Sequence, residues 1–414
     1  MATKKLLMLL GTGSSIAQGI PSVSHVDRRM KKAAAEWSQG SHRTGLPNYF
    51  DFAWAAAQLY YSSEKPALRP EVNFERVLGD MLALANWMTP APYGNSLRQI
   101  IWNETPLPPS PGRFLISTLI TSQLTELLVD LARYMRKCSR DFDRGSDAFR
   151  EYRALLDGIR SEFDVGIYSL NYDSVALTAW PTVFTGFDAS GRFAPGQVLS
   201  RREWNFLYHL HGSVYHTLVG PFGNSVRWQN DLTARFDDGN AARSTDERSD
   251  GKRFPKTTLI AGAFKLDQLL IEPFHTLYAA FVRDAYEADA ILLGGYGFGD
   301  AHVNRALGNR LENDTNRPSI MILTYAEPRT DPMEFRADRW SYELCRTLNV
   351  SARSFSSPAP MHVADLVAND GFEFSAEQRI AIWHGGFSEA SRRVAPIVDW
   401  LSGADNSVLR PSVS

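Results

Sequence analysis

The sequence predicts an α/β protein: an open, doubly wound parallel sheet with a large helical insertion and a small C-terminal extension. Three observations predict it. The runs Leu6–Leu10, Ala290–Leu293 and Ser319–Leu323, apolar apart from Ser319, have the length of strands buried on both faces. Segments with apolar residues at helical spacing lie between such runs. Glycine or polar signals follow the strands directly, and open α/β sheets bind ligands at the carboxyl ends of their strands. The combination is Rossmann-like.

The elements follow in order. Leu6–Leu10 is the first strand, and Gly11-Thr12-Gly13 turns the chain into the small residues Ser14 and Ser15. Val26–Trp37, rich in Ala, Lys and Arg, predicts a helix. From about Tyr49 to Arg160 the chain reads as helical, with Asp51–Tyr61, Phe74–Trp87, Leu115–Lys137 and Phe149–Glu162 each patterned at helical spacing. Pro-rich breaks at Thr89–Pro92 and Pro106–Gly112 separate them, so residues 40–160 form a helical insertion between sheet strands. Trp54, Trp87 and Trp102 fit core or interface positions there. Asn73-Phe74-Glu75 opens one of these helices in the manner of an N-terminal cap.

Asp164–Leu170 is strand-like and ends in Asn171-Tyr172-Asp173; Asn205–Leu210 ends in His211-Gly212-Ser213. Phe236–Phe254 is polar, with turn signals, and reads as a surface loop. His275–Ala288 predicts an amphipathic helix. The strand Ala290–Leu293 runs into Gly294–Asp300, and Val303–Glu312 returns as a helix. Ser319–Leu323 is the last core strand in the pattern. Beyond about Thr330 the pattern weakens, which divides the chain into residues 1–330 and an extension, 331–414, suited to oligomerisation or partner contact.

Bulk composition removes several function classes. The 414 residues carry 44 Lys and Arg against 46 Asp and Glu, a net charge of -2, so no basic field points to direct nucleic-acid binding. Two cysteines, Cys138 and Cys345, cannot make a four-cysteine zinc site. No apolar run approaches the ~18 residues of a membrane span, and the run after Lys4-Lys5 stops at Gly11, too short for a signal-peptide core. The expectation is a cytoplasmic protein without membrane contact.

The glycine turn admits close backbone approach, and a helix start behind it would offer N–H groups to a phosphate. The third glycine of a dehydrogenase fingerprint is replaced by Ile16, and no acidic residue ends a second strand. Asn171-Tyr172-Asp173 alone fits an Asx turn as well as a site. Strand alternation puts His209 and His211 on one face; the strand-end position and the His-Gly pair favour His211. Asp300 suits a ribose hydroxyl or the cap of the helix behind it, and His302 and Asn304 lie close by.

Taken together these segments resemble the sirtuin family. Gly11-Thr12-Gly13-Ser14-Ser15 with Gly19-Ile20-Pro21 is similar to its first NAD-binding motif. Leu170-Asn171-Tyr172-Asp173 is similar to the motif that lines the nicotinamide pocket, Leu210-His211-Gly212 to the catalytic His-Gly, and Gly295–Asp300 to the later glycine-rich NAD loop. The resemblance implies that Gly11, Thr12, Gly13, Ser14, Ser15, Ile20, Pro21, Asp173, Gly295, Tyr296, Gly297 and Asp300 bind NAD, with Asn171 and His211 catalytic.

Departures narrow it. The zinc cysteines are missing. Ser22-Val23-Ser24 stands where sirtuin deacetylases have Asp-Phe-Arg, and Thr324 where they have a ribose-binding asparagine. The resemblance therefore moves toward the sirtuin-like NAD hydrolases of bacterial antiphage defence. It implies a glycohydrolase that yields nicotinamide and ADP-ribose, NAD as substrate, no zinc and no metal ligands. It also implies a homo-oligomer or a separately encoded partner, such as an ATPase of the HerA type. The competing expectations are a protein deacylase or ADP-ribosyltransferase, and a non-catalytic NAD- or ADP-ribose-binding subunit.

Overall fold

The structure is a computed structural model that describes residues 3–39, 45–62, 71–88, 116–220, 225–234, 245–247, 253–262, 265–313, 317–356 and 362–410. Its centre is a seven-stranded sheet. The strands are β1 (Lys4–Leu10), β2 (Phe163–Ser169), β3 (Asn205–His209), β8 (Ala290–Gly294), β9 (Ser319–Leu323), β10 (Glu373–Ser375) and β11 (Ile380–Trp383), in the order β10-β11-β9-β8-β1-β2-β3. The hairpins β4 (His216–Val219) with β5 (Ser225–Trp228), and β6 (Thr245–Glu247) with β7 (Arg253–Pro255), stand outside it. All neighbours in the main sheet are parallel except β10 and β11.

β1 explains the architecture. Leu6, Met8 and Leu10 enter one core while Leu7 and Leu9 enter the other, because successive side chains point to opposite faces. A strand covered on both sides must therefore be apolar without alternation, which is what made Leu6–Leu10 readable.

The helices are α1 (Val23–Gln39), α2 (Tyr49–Tyr61), α3 (Phe74–Met88), α4 (Ile116–Asp141), α5 (Asp147–Arg160), α6 (Val175–Ala179), α7 (Pro195–Ser200), α8 (Lys265–Gln268), α9 (Phe274–Glu287), α10 (Ala301–Asn313), α11 (Arg339–Thr347), α12 (Val363–Ala368) and α13 (Val394–Leu401). α1 to α6 and α13 bury their apolar stripes in the core on the first face. α7, α9, α10 and α11 do so on the second. The result is three layers.

Polar groups also tie the helices of the insertion to one another and to α1. Asn48 caps α2 by accepting from the Asp51 N–H (3.2 Å), and Gln123 of α4 donates to that same Asn48 oxygen (3.0 Å). At α3, Asn73 accepts from the Arg76 N–H (3.1 Å), the cap read from the sequence. Asp27 of α1 accepts from the Phe74 N–H (2.7 Å), so two helices meet at this end.

Three expectations change. Ser319–Leu323 is not the last core strand: β11 pairs with β9 in parallel, Ile380 opposite Ile320 and Trp383 opposite Leu323. The signal was hidden because these strands are short and β10 carries Glu373, a buried carboxylate that accepts from His384 (2.6 Å). The segment Phe236–Phe254 is not all loop, since β6 pairs with β7; residues 236–244 and 248–252 of it lie outside the described residues. The first glycine turn does not run into a helix. Two short 3-10 turns, Thr12–Ser14 and Ile16–Gln18, intervene, Gly19 turns left-handed (φ 81°), and α1 begins only at Val23. The expected breaks at Thr89–Pro92 and Pro106–Gly112, and Trp102, lie outside the described residues.

Candidate functional site

The sheet order reverses at β1. The chain adds β2 and β3 on one side of it, then β8 and β9 on the other. Such a switch point leaves a crevice at the carboxyl ends of the strands, because the loops on either side of it diverge. The loops after β1, β2, β3 and β8 all meet there.

The loop after β1 packs directly on the loop after β8. The Gly11 N–H donates to the Gly294 carbonyl (2.8 Å) and the Gly13 N–H to the Gly295 carbonyl (3.0 Å). A side chain at Gly11 would place its Cβ 2.6 Å from the Gly295 oxygen. At Gly13 it would lie 2.8 Å from the Gly295 Cα, and at Gly295 (φ +61°) 2.1 Å from the Ser14 nitrogen. These glycines are required by each other as much as by any ligand. Gly297 and Gly299 differ, for both are exposed and a Cβ at either meets nothing within 4 Å. The room beside this crevice is at Gly297 and Gly299.

Asn171 follows β2 and is locked by the first loop. Its Nδ2 donates to the Gly11 carbonyl (3.0 Å) and lies 3.1 and 3.2 Å from the Ser14 and Ser15 hydroxyls. Ser14 also donates to the Gly11 carbonyl (2.8 Å). The Asn171 side-chain oxygen is buried and has no hydrogen-bond partner among the described residues. An amide so held presents one acceptor, and a buried acceptor left empty costs about 1–3 kcal/mol. That oxygen is the atom of the crevice most in need of a ligand or water.

Asp173 is buried beside it, accepting from the Val175 N–H (2.9 Å) and from Ser15. Burial pushes its carboxyl up to about 6, against the opposing hydrogen bonds from Val175 and Ser15. Thr12 and Gly13 are partly exposed at the crevice. Ile20 and Pro21 are buried, and Ile20 belongs to the core, where it fixes the exit of the turn.

His211 follows β3. Ser169 is opposite His209 in the β2–β3 register, so Asn171 and His211 stand at equivalent positions beyond the two strand ends. His209 points elsewhere: its Nδ1 bonds the Asn171 backbone carbonyl (3.1 Å), and its ring lies near His216 and Trp228. Gly212 (φ +90°) turns the chain away where a Cβ would sit 2.1 Å from the Thr258 oxygen. The His211 carbonyl accepts from the Ile260 N–H (2.8 Å).

His211 is 2% exposed, and its side chain faces three groups. Its Nε2 is 3.3 Å from Nε2 of His302 and 3.8 Å from the Asp300 carboxylate, and Lys265 lies behind Asp300. Burial lowers the imidazole to about 3, with the Asp300 charge opposing and Lys265 and His302 assisting. At neutral pH His211 therefore carries no charge. The Lys265 ammonium bonds Asp300 (2.6 Å) and Glu75 of α3 (2.9 Å). Burial works against the Asp300 carboxylate, but Lys265 foremost, together with His211 and His302, holds the group well below its ordinary range.

His211, Asp300 and His302 bring nitrogen and oxygen donors within 4.8 Å, the chemistry of a metal site. The Lys265 ammonium already supplies a cation to the carboxylate there. Lys265 was missed in the sequence, where it stands as an isolated lysine without a motif. Glu75 and His302 were visible but had no assigned partner.

The loop after β8 is braced from below. Tyr296 is buried and donates to Asn304 (2.7 Å), which donates to the Phe298 carbonyl (2.8 Å); Trp340 donates to the Tyr296 carbonyl (3.3 Å). Tyr296 thus shapes the loop from within. Thr324 is used by its backbone, which donates to Trp383 and accepts from Gly386 (2.8 and 2.9 Å). Cys138 and Cys345 are both free and pack against opposite faces of the sheet. Among the described residues no helix is long and apolar enough to cross a membrane.

No curated protein matches the chain. Among solved structures, a Sir2-homologue mutant in complex with 2'-O-acetyl ADP-ribose aligns at 12% identity over 78% of this chain and 82% of its own, with a TM-score of 0.33. A Sir2 homologue–NAD complex aligns at 11% identity over 84% and 90%, with a TM-score of 0.31. Residues 165–347, the stretch that carries Asn171, Asp173, His211, Lys265 and the Gly294–Asp300 loop, match the family model of the SIR2-like domain.

Proposed function

We propose that this protein is an NAD glycohydrolase that cleaves NAD to nicotinamide and ADP-ribose. The observation that carries the reading is the Asn171 side chain: its nitrogen is pinned by the glycine loop, while its buried oxygen has no partner among the described residues at the switch point. The match of residues 165–347 to the SIR2-like domain supports NAD as the substrate.

Breaking the nicotinamide–ribose bond builds positive charge on the ribose carbon, as in glycoside cleavage. The nicotinamide is cationic before cleavage and leaves neutral, so no acid has to protonate it. What the site must supply is orientation and a water. The free Asn171 oxygen suits a ribose hydroxyl or the attacking water. His211, neutral and buried, can take the proton that water loses as its oxygen bonds to the ribose carbon. Its basicity is low, but a water bonding to a cationic carbon becomes strongly acidic. The balance is NAD plus water to nicotinamide, ADP-ribose and one proton. Gly297 and Gly299 leave space for the nucleotide backbone, and Thr12 and Gly13 face the same crevice.

By the same reading the chain acts as an effector of antiphage defence through NAD depletion. Its activity is then controlled by self-assembly or by a separately encoded partner, and residues 331–414 offer the contact surface. Purified protein incubated with NAD is expected to release nicotinamide and ADP-ribose in equal amounts, alone or once assembled. His211→Ala and Asn171→Ala should each lower kcat by ~10²-fold or more. Undiminished turnover in both variants would sink the assignment. Nicotinamide release that depends on an acylated lysine peptide would replace it with the deacylase reading.

A further inference from the structure

Glu75, Lys265, Asp300 and His211 form one line of contacts from the helical insertion to the site. Glu75 lies in the first turn of α3. Its carboxylate is 2.9 Å from Lys265 at the start of α8, whose ammonium is 2.6 Å from Asp300, whose carboxylate is 3.8 Å from His211. Tyr172, next to Asn171, closes the same cluster; it senses the charges of Glu75, Lys265 and Asp300 and donates to the Ile260 carbonyl (2.6 Å).

We propose that Lys265 is a positioning residue: held by Glu75 of the helical insertion, it engages the Asp300 carboxylate and draws it away from His211, leaving the imidazole free to accept a proton. The inference rests on the proton-accepting role proposed for His211.

The argument is electrostatic and geometric. A buried carboxylate near an imidazole favours the imidazolium, because attraction in a poorly solvated site is strong. Asp300 therefore pushes His211 toward the imidazolium, against the burial that keeps it neutral. The Lys265 ammonium, closer to Asp300 than His211 is, takes up that attraction. The groups facing His211 are Asp300 and His302 from the β8–α10 side and Lys265 from α8, with Glu75 of α3 behind it. Of the groups that face the imidazole directly, Asp300 favours the imidazolium. Lys265 opposes it twice, by bonding Asp300 and by repelling a second cation.

Lys265 also needs its second anchor. An ammonium buried with a single carboxylate would leave hydrogens unbonded, and Glu75 supplies the other acceptor. The placing of α3 is thus read out at His211. A displacement of the insertion that carried Glu75 away would loosen Lys265 and bias Asp300 toward His211. This gives the Asn73-Phe74-Glu75 segment a role beyond capping α3.

The test is histidine side-chain NMR on the full chain with labelled histidines, with the pH dependence of NAD cleavage in parallel. In the native protein His211 should stay neutral throughout the pH range in which the fold persists. In Lys265→Gln, which keeps hydrogen-bond donors but loses the charge, His211 should titrate at least one pH unit higher, toward the ordinary 6.5. Adding Asp300→Asn to that variant should return His211 to the neutral form. Cleavage by Lys265→Gln should fall on the acid side and recover as pH rises, whereas a merely structural lysine would lower it equally at every pH. A His211 titration unmoved in folded Lys265→Gln overturns the proposal. So does a charged His211 in the native protein at neutral pH, a result that needs no variant. The NMR readout does not depend on turnover, so failure of the glycohydrolase reading is seen separately as absent nicotinamide release.

Discussion

At the scale of single residues, the site is built from polar groups held against their own solvation, and Asp173 shows the consequence. Its carboxyl is raised from 3.8 to about 6 by burial. A carboxyl with a raised native value binds its proton more tightly folded than unfolded. Stability from this group is therefore complete below the unfolded value of 3.8 and declines as pH rises through about 6. Asp173→Asn keeps an oxygen for the Val175 N–H and removes the charge. It should raise Tm at neutral pH, by a stabilisation on the order of 1–3 kcal/mol, and leave Tm unchanged near pH 4. NAD cleavage should fall at the same time if Asp173 contacts the nicotinamide. An unchanged difference in Tm across the pH range would show that Asp173 is not held ionised at a cost. Asn171, Asp173 and His211 were legible because each ends a strand, and strand ends are easy to find. Lys265 was not, because its meaning lies wholly in tertiary contacts with Glu75 and Asp300, 190 and 35 residues away in sequence.

At the scale of elements, the two glycine loops make opposite predictions for the same substitution. Gly295→Ala forces a left-handed residue (φ +61°) to carry a Cβ 2.1 Å from the Ser14 nitrogen. The backbone strain and the overlap together should cost roughly 2–5 kcal/mol, read as a lower denaturation midpoint. Gly297→Ala meets nothing within 4 Å, so the fold should tolerate it within about 0.5 kcal/mol. If the nucleotide backbone passes there, the KM for NAD should nonetheless rise about tenfold. An unchanged KM with unchanged stability would remove this loop from the binding surface. The sequence marks all these glycines alike. Only the fold separates Gly11, Gly13 and Gly295, which serve loop-on-loop packing, from Gly297 and Gly299, which leave space. The helix expected after the first turn failed for a related reason: Gly19 and Pro21 end the 3-10 turns, and α1 can start only beyond them.

At the scale of the whole molecule, the question is whether the sheet is complete without the C-terminal residues. The central strands β1, β8 and β9 were legible because they are buried on both faces and almost uniformly apolar. β10 and β11 were not, since three or four residues with a buried Glu373–His384 pair carry little periodicity. Yet β11 closes the edge of β9, where the Ile320 N–H donates to Arg379 and the Thr324 N–H to Trp383 (both 2.8 Å). Ile380 and Ile382 fill the core on one face; Trp383, Ile397 and Trp400 fill the other. Burying each large side chain is worth about 1.5–3 kcal/mol, so these five contribute roughly 7–15 kcal/mol. That is as large as the whole stability of an ordinary domain, about 5–15 kcal/mol. A chain ending at Thr330 should therefore lose cooperative unfolding, bind hydrophobic dye and aggregate through the bared β9 edge. A soluble monomer of residues 1–330 with a sharp thermal transition would show instead that residues 331–414 are separable and serve contact alone.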